Sequence, residues 1–168
     1  MPAVLVGGLF PYSTKIREGL VVYCDASSDE YAKKFELGHE AFHCVTGVSP
    51  TDNSWAREML AEYFSIKLLR ANNSSRAKIA HNAKRTQGLL FDRSGLFNLP
   101  GISSHQSEIY SGLYILCFEL LDAVGMNDLK SLAMEPGVNF QPDVNAWLSK
   151  LSQGKAAVAS GILLSEGS

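Results

Sequence analysis

The chain has 168 residues, of which 46% are hydrophobic, and it carries a formal net charge of −2 at pH 7. This length and composition suit one globular domain over 1–168, with 1–18 and 153–168 at its periphery. The weak negative charge argues against a broad phosphate-binding surface, so we expect no nucleic-acid partner.

The N-terminal apolar run, residues 3–10, fits neither an export signal nor a membrane span. No basic residue precedes it, and Gly7, Gly8 and Pro11 break it. The three cysteines are an odd number without a repeating spacing, which argues against a disulfide framework. We therefore expect a cytoplasmic protein with reduced thiols and no membrane partner.

Helical patterns dominate the chain, with one clear strand near its start. The β-branched run GLVVYC at 19–24 predicts a strand. Turn-and-cap residues at 25–29 open a helix that continues to about Thr46, where Gly47 and Pro50 stop it. Further helices are predicted over 55–71, 76–90, 107–124, 127–134 and 142–152. The layout predicts an α+β fold in which a small sheet flanks a pair of helices.

The stretch His39-Glu40-Ala41-Phe42-His43 carries the strongest chemical signal. Residues four apart on a helix lie about 40° apart around its axis, so His39 and His43 can offer two imidazoles to one ion. Glu40 lies beside His39 on nearly the same side. This is the H-E-x-x-H pattern of zinc hydrolases, in which the histidines bind Zn²⁺ and the glutamate is the general base. Cys44 points about 100° away from His43, so we do not expect it to be a ligand.

A catalytic zinc needs a third protein ligand, which a second helix must supply. Glu58 and Glu62 are the nearest candidates, one turn apart on the next predicted helix. We assign Glu58 to the metal, and Glu62 to a hydrogen bond with the outer nitrogen of a ligating histidine. The reverse assignment stays open, as does a solvent-facing position for each glutamate. Ala61 presents a small side chain that would let the two helices approach closely.

The strings HEAFH and WAREMLAEYF together resemble the gluzincin metallopeptidases. They are similar to the aminopeptidase N and leukotriene hydrolase catalytic domains and their small peptidase MA-like relatives. In that family the glutamate of W-x-x-E-G-x-A-E/S-Y binds zinc; it corresponds to Glu58, whereas Met59 replaces the glycine. The resemblance implies a helix-rich α+β, zincin-like domain with a short mixed sheet beside the two ligand helices. It also implies a peptide or protein substrate, and a catalytic role for Tyr110 in stabilising the oxyanion, with Tyr114 as a rival.

A second resemblance is to the ImmA/IrrE-type metallopeptidases, which cut or regulate a DNA-bound repressor. FELGHEAFH carries it, together with E-x-x-A-x-x-F-S-x-x-L-L from Glu58 to Leu69. The related pattern H-E-x-x-H-x-x-G-x-x-H is excluded, because its third ligand would be Ser49. We therefore expect zinc-dependent peptide-bond hydrolysis with Glu40 as general base. The alternatives are a zinc-stabilised binding or regulatory module with weak or no catalysis, an ImmA/IrrE-type protease, and a helical interaction protein without metal.

Overall fold

The structure, a computed structural model, describes residues 29–46, 55–93, 107–134 and 141–164. It also describes the backbone of three strands that precede residue 29. Each predicted helix is present, with shifted bounds. The bounds are α1 (Glu30–Val45), α2 (Trp55–Asn72), α3 (Ser74–Gly88), α4 (Ser107–Val124), α5 (Met126–Met134), α6 (Gln141–Leu148) and α7 (Gln153–Leu164). The proposed stop signals Gly47 and Pro50 lie outside the described residues.

The strands precede α1 and are described through their backbone pairing. They are β1 (Ala3–Val6), β2 (Tyr12–Ile16) and β3 (Gly19–Cys24). Their order is β1-β3-β2, with β1 parallel and β2 antiparallel to β3.

The expected fold class, α+β with a short mixed sheet beside two metal-ligand helices, is wrong. The protein is helical: within residues 29–46, 55–93, 107–134 and 141–164, helix accounts for 89% of the residues and no residue lies in a strand or sheet. All buried hydrophobic side chains of the described residues lie on helices, from α2 through α7. The physical reason is that the apolar residues recur with the helical period, so that burial is achieved between helices.

The chain divides into two compact units, one formed by 1–52 with 61–83 and the other by 53–60 with 84–168. In the first unit α1 packs against the later turns of α2, where Phe42 stacks on Phe64 with ring centroids 5.3 Å apart. The expectation of a single domain stays a prediction.

The second unit has its core on α4 to α7. Trp147 of α6 is fully buried, and its Nε1–H donates to the Asp128 carbonyl at 3.1 Å and to Ser131 Oγ at 3.0 Å. Gly125 ends α4 with a φ of +86°, the left-handed conformation that favours glycine at a helix terminus. No helix among the described residues is long and apolar enough to span a bilayer.

Helix α2 is buried on all its sides over its first turns, because each residue from Trp55 to Tyr63 is buried. A helix hydrophobic all round is typical of a core position. Here that buried stretch also carries three ionisable side chains, Arg57, Glu58 and Glu62. Burying a charged group is costly unless it is compensated, so their presence indicates a specific role for this part of α2.

Helix α1, which carries the histidines, has a defined start. The Asp29 carboxylate accepts hydrogen bonds from the backbone N–H groups of Tyr31 at 2.9 Å and Ala32 at 2.8 Å. Such a cap satisfies donors that have no partner within the helix. The hydrogen bond from Ala32, followed by that from Tyr31, lowers the pKa of the Asp29 carboxyl below its ordinary value.

Candidate metal centre

The two histidines of α1 point their rings at one place. His39 and His43 have their Nε2 atoms 3.1 Å apart and their ring centroids 4.9 Å apart. Two nitrogens that each lie about 2.0–2.1 Å from a tetrahedral zinc are separated by about 3.3 Å. The observed separation therefore suits two ligands of one ion, and also a hydrogen bond between a protonated and an unprotonated nitrogen when no ion is bound.

The outer nitrogen of His39 faces Glu62 of α2. His39 Nδ1 lies 3.1 Å from Glu62 Oε1, and the Glu62 side chain is 4% exposed. A carboxylate at this position favours the tautomer in which Nδ1 carries the proton and Nε2 keeps its lone pair. Nε2 of His39, the atom that meets His43, is thereby the nitrogen suited to bind a cation.

Glu58 completes a group of three possible ligands. One ligand atom each of His39, His43 and Glu58 lies within 4.8 Å of the other two. Glu58 precedes Glu62 by one turn of the continuous helix α2, so both carboxylates face the same side. Glu58 is 8% exposed. Exposed acidic clusters are common without any ion, whereas a buried carboxylate beside two imidazoles has the donor set of a metal site.

Glu40 follows His39 on α1 and is also buried, with 8% of its surface exposed. Within the described part of the chain, its carboxylate shows no hydrogen bond or ion pair. A carboxylate next to a candidate ligand is the type of group that can serve as a general base.

The structure places Tyr110 in the first turn of α4, half-buried. Its rival Tyr114 is fully buried one turn later, with its ring against Phe118 at a centroid distance of 5.0 Å. The oxyanion role of Tyr110 stays a prediction.

The described cysteines, Cys44 and Cys117, are not members of the group of possible ligands. Cys44 is half-buried on α1 and does not belong to the ligand group. Burial raises the pKa of the Cys117 thiol to about 12, so this group stays protonated and unreactive at neutral pH. The side chain of Cys24 lies outside the described residues.

Two residues beside the site were missed by the sequence analysis. Gly38 lies immediately before His39, and a Cβ atom there would approach Ser65 of α2 to 3.1 Å. Arg57 lies immediately before Glu58, is buried, and donates from Nε to the Ala133 carbonyl at 2.7 Å. The available signals were a glycine inside a helix, Gly38, and an arginine next to a candidate ligand, Arg57. Neither signal predicts the contact with Ser65 or with Ala133, because these contacts depend on the tertiary fold.

No family model, no curated protein and no solved structure matches this chain. The similarity to the gluzincins and to the ImmA/IrrE-type enzymes thus stays a prediction from short motifs. The side-chain geometry of the described residues shows a His39, His43 and Glu58 group that could hold a metal ion.

Proposed function

We propose that this chain is a zinc-dependent peptidase in which His39, His43 and Glu58 hold the ion and Glu40 is the general base. The observation that carries the proposal is the convergence of the three ligand atoms within 4.8 Å. Two imidazoles and one carboxylate form the ligand set of a major class of catalytic zinc sites.

The local chemistry also suits zinc. Imidazole nitrogen and carboxylate oxygen both bind zinc well, and three protein ligands leave one position open. Glu62 contacts Nδ1 of His39, the nitrogen that would not bind the ion, and so orients the imidazole ring. A zinc ion held here would supply Lewis-acid activation of a water molecule and of a substrate carbonyl.

Glu40 is the residue to which we assign the proton transfers. Its carboxylate takes a proton from the water that attacks the peptide carbonyl carbon. It then delivers that proton to the amine nitrogen as the carbon–nitrogen bond breaks. A phenol such as that of Tyr110 could donate a hydrogen bond to the developing oxyanion.

The choice of a peptide substrate rests on the resemblance of HEAFH and WAREMLAEYF to the gluzincin strings. The metal site alone would serve any carbonyl hydrolysis by an activated water. The expected substrate is therefore an amide within a peptide or protein.

The first experiment measures the metal content of the purified protein and of His39→Ala. We expect about one equivalent of zinc in the unchanged protein and far less in the variant, because three protein ligands are needed to retain the ion. A metal-free unchanged protein, after supply of zinc during purification, would contradict the proposal.

The second experiment measures hydrolysis of a mixed peptide library by the unchanged protein and by Glu40→Gln. Glu40→Gln should retain zinc and lose about 10²–10⁴-fold in turnover, the usual contribution of a general base. Glu36→Gln, one turn earlier on α1, is the matched control and should retain activity. Zinc binding without cleavage by the unchanged protein would instead favour a zinc-stabilised module.

A further inference from the structure

Helices α1 and α2 approach each other closely at Gly38, which has no side chain to separate them. A Cβ atom at this position would lie 3.1 Å from the Ser65 Cα atom and 3.1 Å from Leu68 Cδ2. Non-bonded carbon atoms normally lie about 3.5–4.0 Å apart. The side chain of Leu68 is on a 41% exposed residue and can turn away, whereas the Cα atom of Ser65 belongs to the backbone.

The surface of α2 that faces Gly38 is itself fixed. Ser65 is fully buried, and its hydroxyl donates to the Ala61 carbonyl of the preceding turn at 2.7 Å. Ala61 is fully buried as well. The Ser65 part of this surface thus has little freedom to move aside, in contrast to the Leu68 side chain.

The separation of the two helices determines whether His39 reaches its partner. His39 follows Gly38 directly, and its Nδ1 lies 3.1 Å from Glu62 Oε1, near the upper end of the range for a good hydrogen bond. Restoring normal contact between a new Cβ and Ser65 needs a displacement of a few tenths of an ångström. Such a shift matters in a site whose groups must be held to within about 0.5 Å.

We propose that Gly38 is a positioning residue: it sets the distance between α1 and α2 at which His39 meets Glu62 and the metal ligands converge. The inference rests on the metal site of the proposed function and adds the residue that sets the separation of the two helices that carry this site. Gly38 acts through His39 and need not touch the ion or the substrate.

This role differs from ordinary packing in a measurable way. Alanine is a better helix former than glycine, so Gly38→Ala gains helix propensity while it loses the close contact. The two effects oppose each other in thermal stability, but only the contact bears on the metal site. We therefore expect Gly38→Ala to weaken the free energy of zinc binding by more than it lowers the free energy of unfolding.

The test compares Gly38→Ala with Gly161→Ala in the full chain, using zinc itself as the probe in competition with a chelator. Gly161 is an exposed position of α7 at which an added Cβ would meet no atom within 4 Å. Gly161→Ala should bind zinc as the unchanged protein does and melt about 2–4 °C higher. Gly38→Ala should bind zinc about 10–100-fold more weakly, the loss typical when the support of a ligand is disturbed.

A second variant keeps the test decisive if Gly38→Ala alone folds poorly. Gly38→Ala combined with Leu68→Ala removes one of the two close contacts but keeps that with Ser65 Cα. It should also bind zinc at least about tenfold more weakly. The absorption spectrum of cobalt(II) in the site, measured for each folded variant, should change together with the affinity.

The outcomes separate this inference from the proposed function. Zinc affinity equal to that of the unchanged protein, in either folded variant carrying Gly38→Ala, would overturn the role of Gly38 and leave the proposed function standing. Failure of the unchanged protein to bind zinc would refute the proposed metal site and this inference with it.

Discussion

Replacing Glu62 by glutamine tests the support of the metal site without removing a ligand. The substitution preserves the shape of the side chain and an oxygen that can still accept from His39 Nδ1. It removes the negative charge from a carboxylate whose side chain is 4% exposed. The expected result is weaker zinc binding with the fold retained.

The size of the effect follows from the position of the charge. A dication on the far nitrogen of His39 would lie roughly 7 Å from the Glu62 carboxylate, given a zinc–nitrogen distance of 2 Å and the 3.1 Å contact. At an effective dielectric constant of 20, the Coulomb attraction at that distance is about 5 kcal/mol, of which desolvation cancels a large part. We therefore expect a 10–100-fold loss of zinc affinity, equivalent to about 1.4–2.8 kcal/mol.

The assay is competition for zinc between the protein and a chelator at constant ionic strength. Glu30→Gln on α1 is the control, because the side chain of Glu30 is 73% exposed and solvent screens its charge. Its zinc affinity should stay within about twofold of the unchanged protein. A Glu62→Gln protein that binds zinc as tightly as this control would refute the electrostatic role of Glu62.

Three further predictions concern the fold, each checked by chemical denaturation. Arg57→Ala removes the donor to the Ala133 carbonyl inside the core and should lower the free energy of unfolding by about 2–4 kcal/mol. Gly88→Ala should destabilise by about 1–3 kcal/mol, because its Cβ would lie 2.6 Å from the Ser111 carbonyl oxygen. The buried Cys117 thiol has its pKa raised from 9.0 to about 12, so the unfolded chain releases this proton first and stability falls as pH rises above 9. Cys117→Ala should therefore lose about 1.4 kcal/mol less than the unchanged protein between pH 8 and 10.

The parts of the site that the sequence could predict are those determined within one helix. The i, i+4 spacing alone directs His39 and His43 to one side of α1, and the same spacing pairs Glu58 with Glu62 on α2. Local sequence fixes these relations because a helix has one geometry. The approach of α1 to α2 at Gly38 is a tertiary relation, and no local pattern encodes it.

Helix boundaries and fold class were predicted less well, for separate reasons. The helices predicted over 55–71 and 76–90 leave a gap of four residues, whereas in the structure only Asn73 separates α2 from α3. Asn73 caps α3 by accepting from the Arg76 backbone N–H at 3.0 Å. Helix α3 therefore begins at Ser74 rather than at 76. The strand predicted at 19–24 is confirmed as β3, but one strand does not determine the fold class, which follows from the helices that bury the described core.

The buried carboxylates give the strongest physical reason to expect that metal removal weakens the fold. Glu40, Glu58 and Glu62 are each less than 10% exposed. Burying carboxylates is costly, and a divalent cation held by His39, His43 and Glu58 would offset part of that cost. Zinc at 100 times its dissociation constant should add about 2.7 kcal/mol to the free energy of unfolding, or roughly 5–11 °C in melting temperature. A chelator should reverse this gain, and His39→Ala should show neither change; a melting temperature of the unchanged protein that is the same with zinc and with chelator would mean that these carboxylates are compensated by the protein alone.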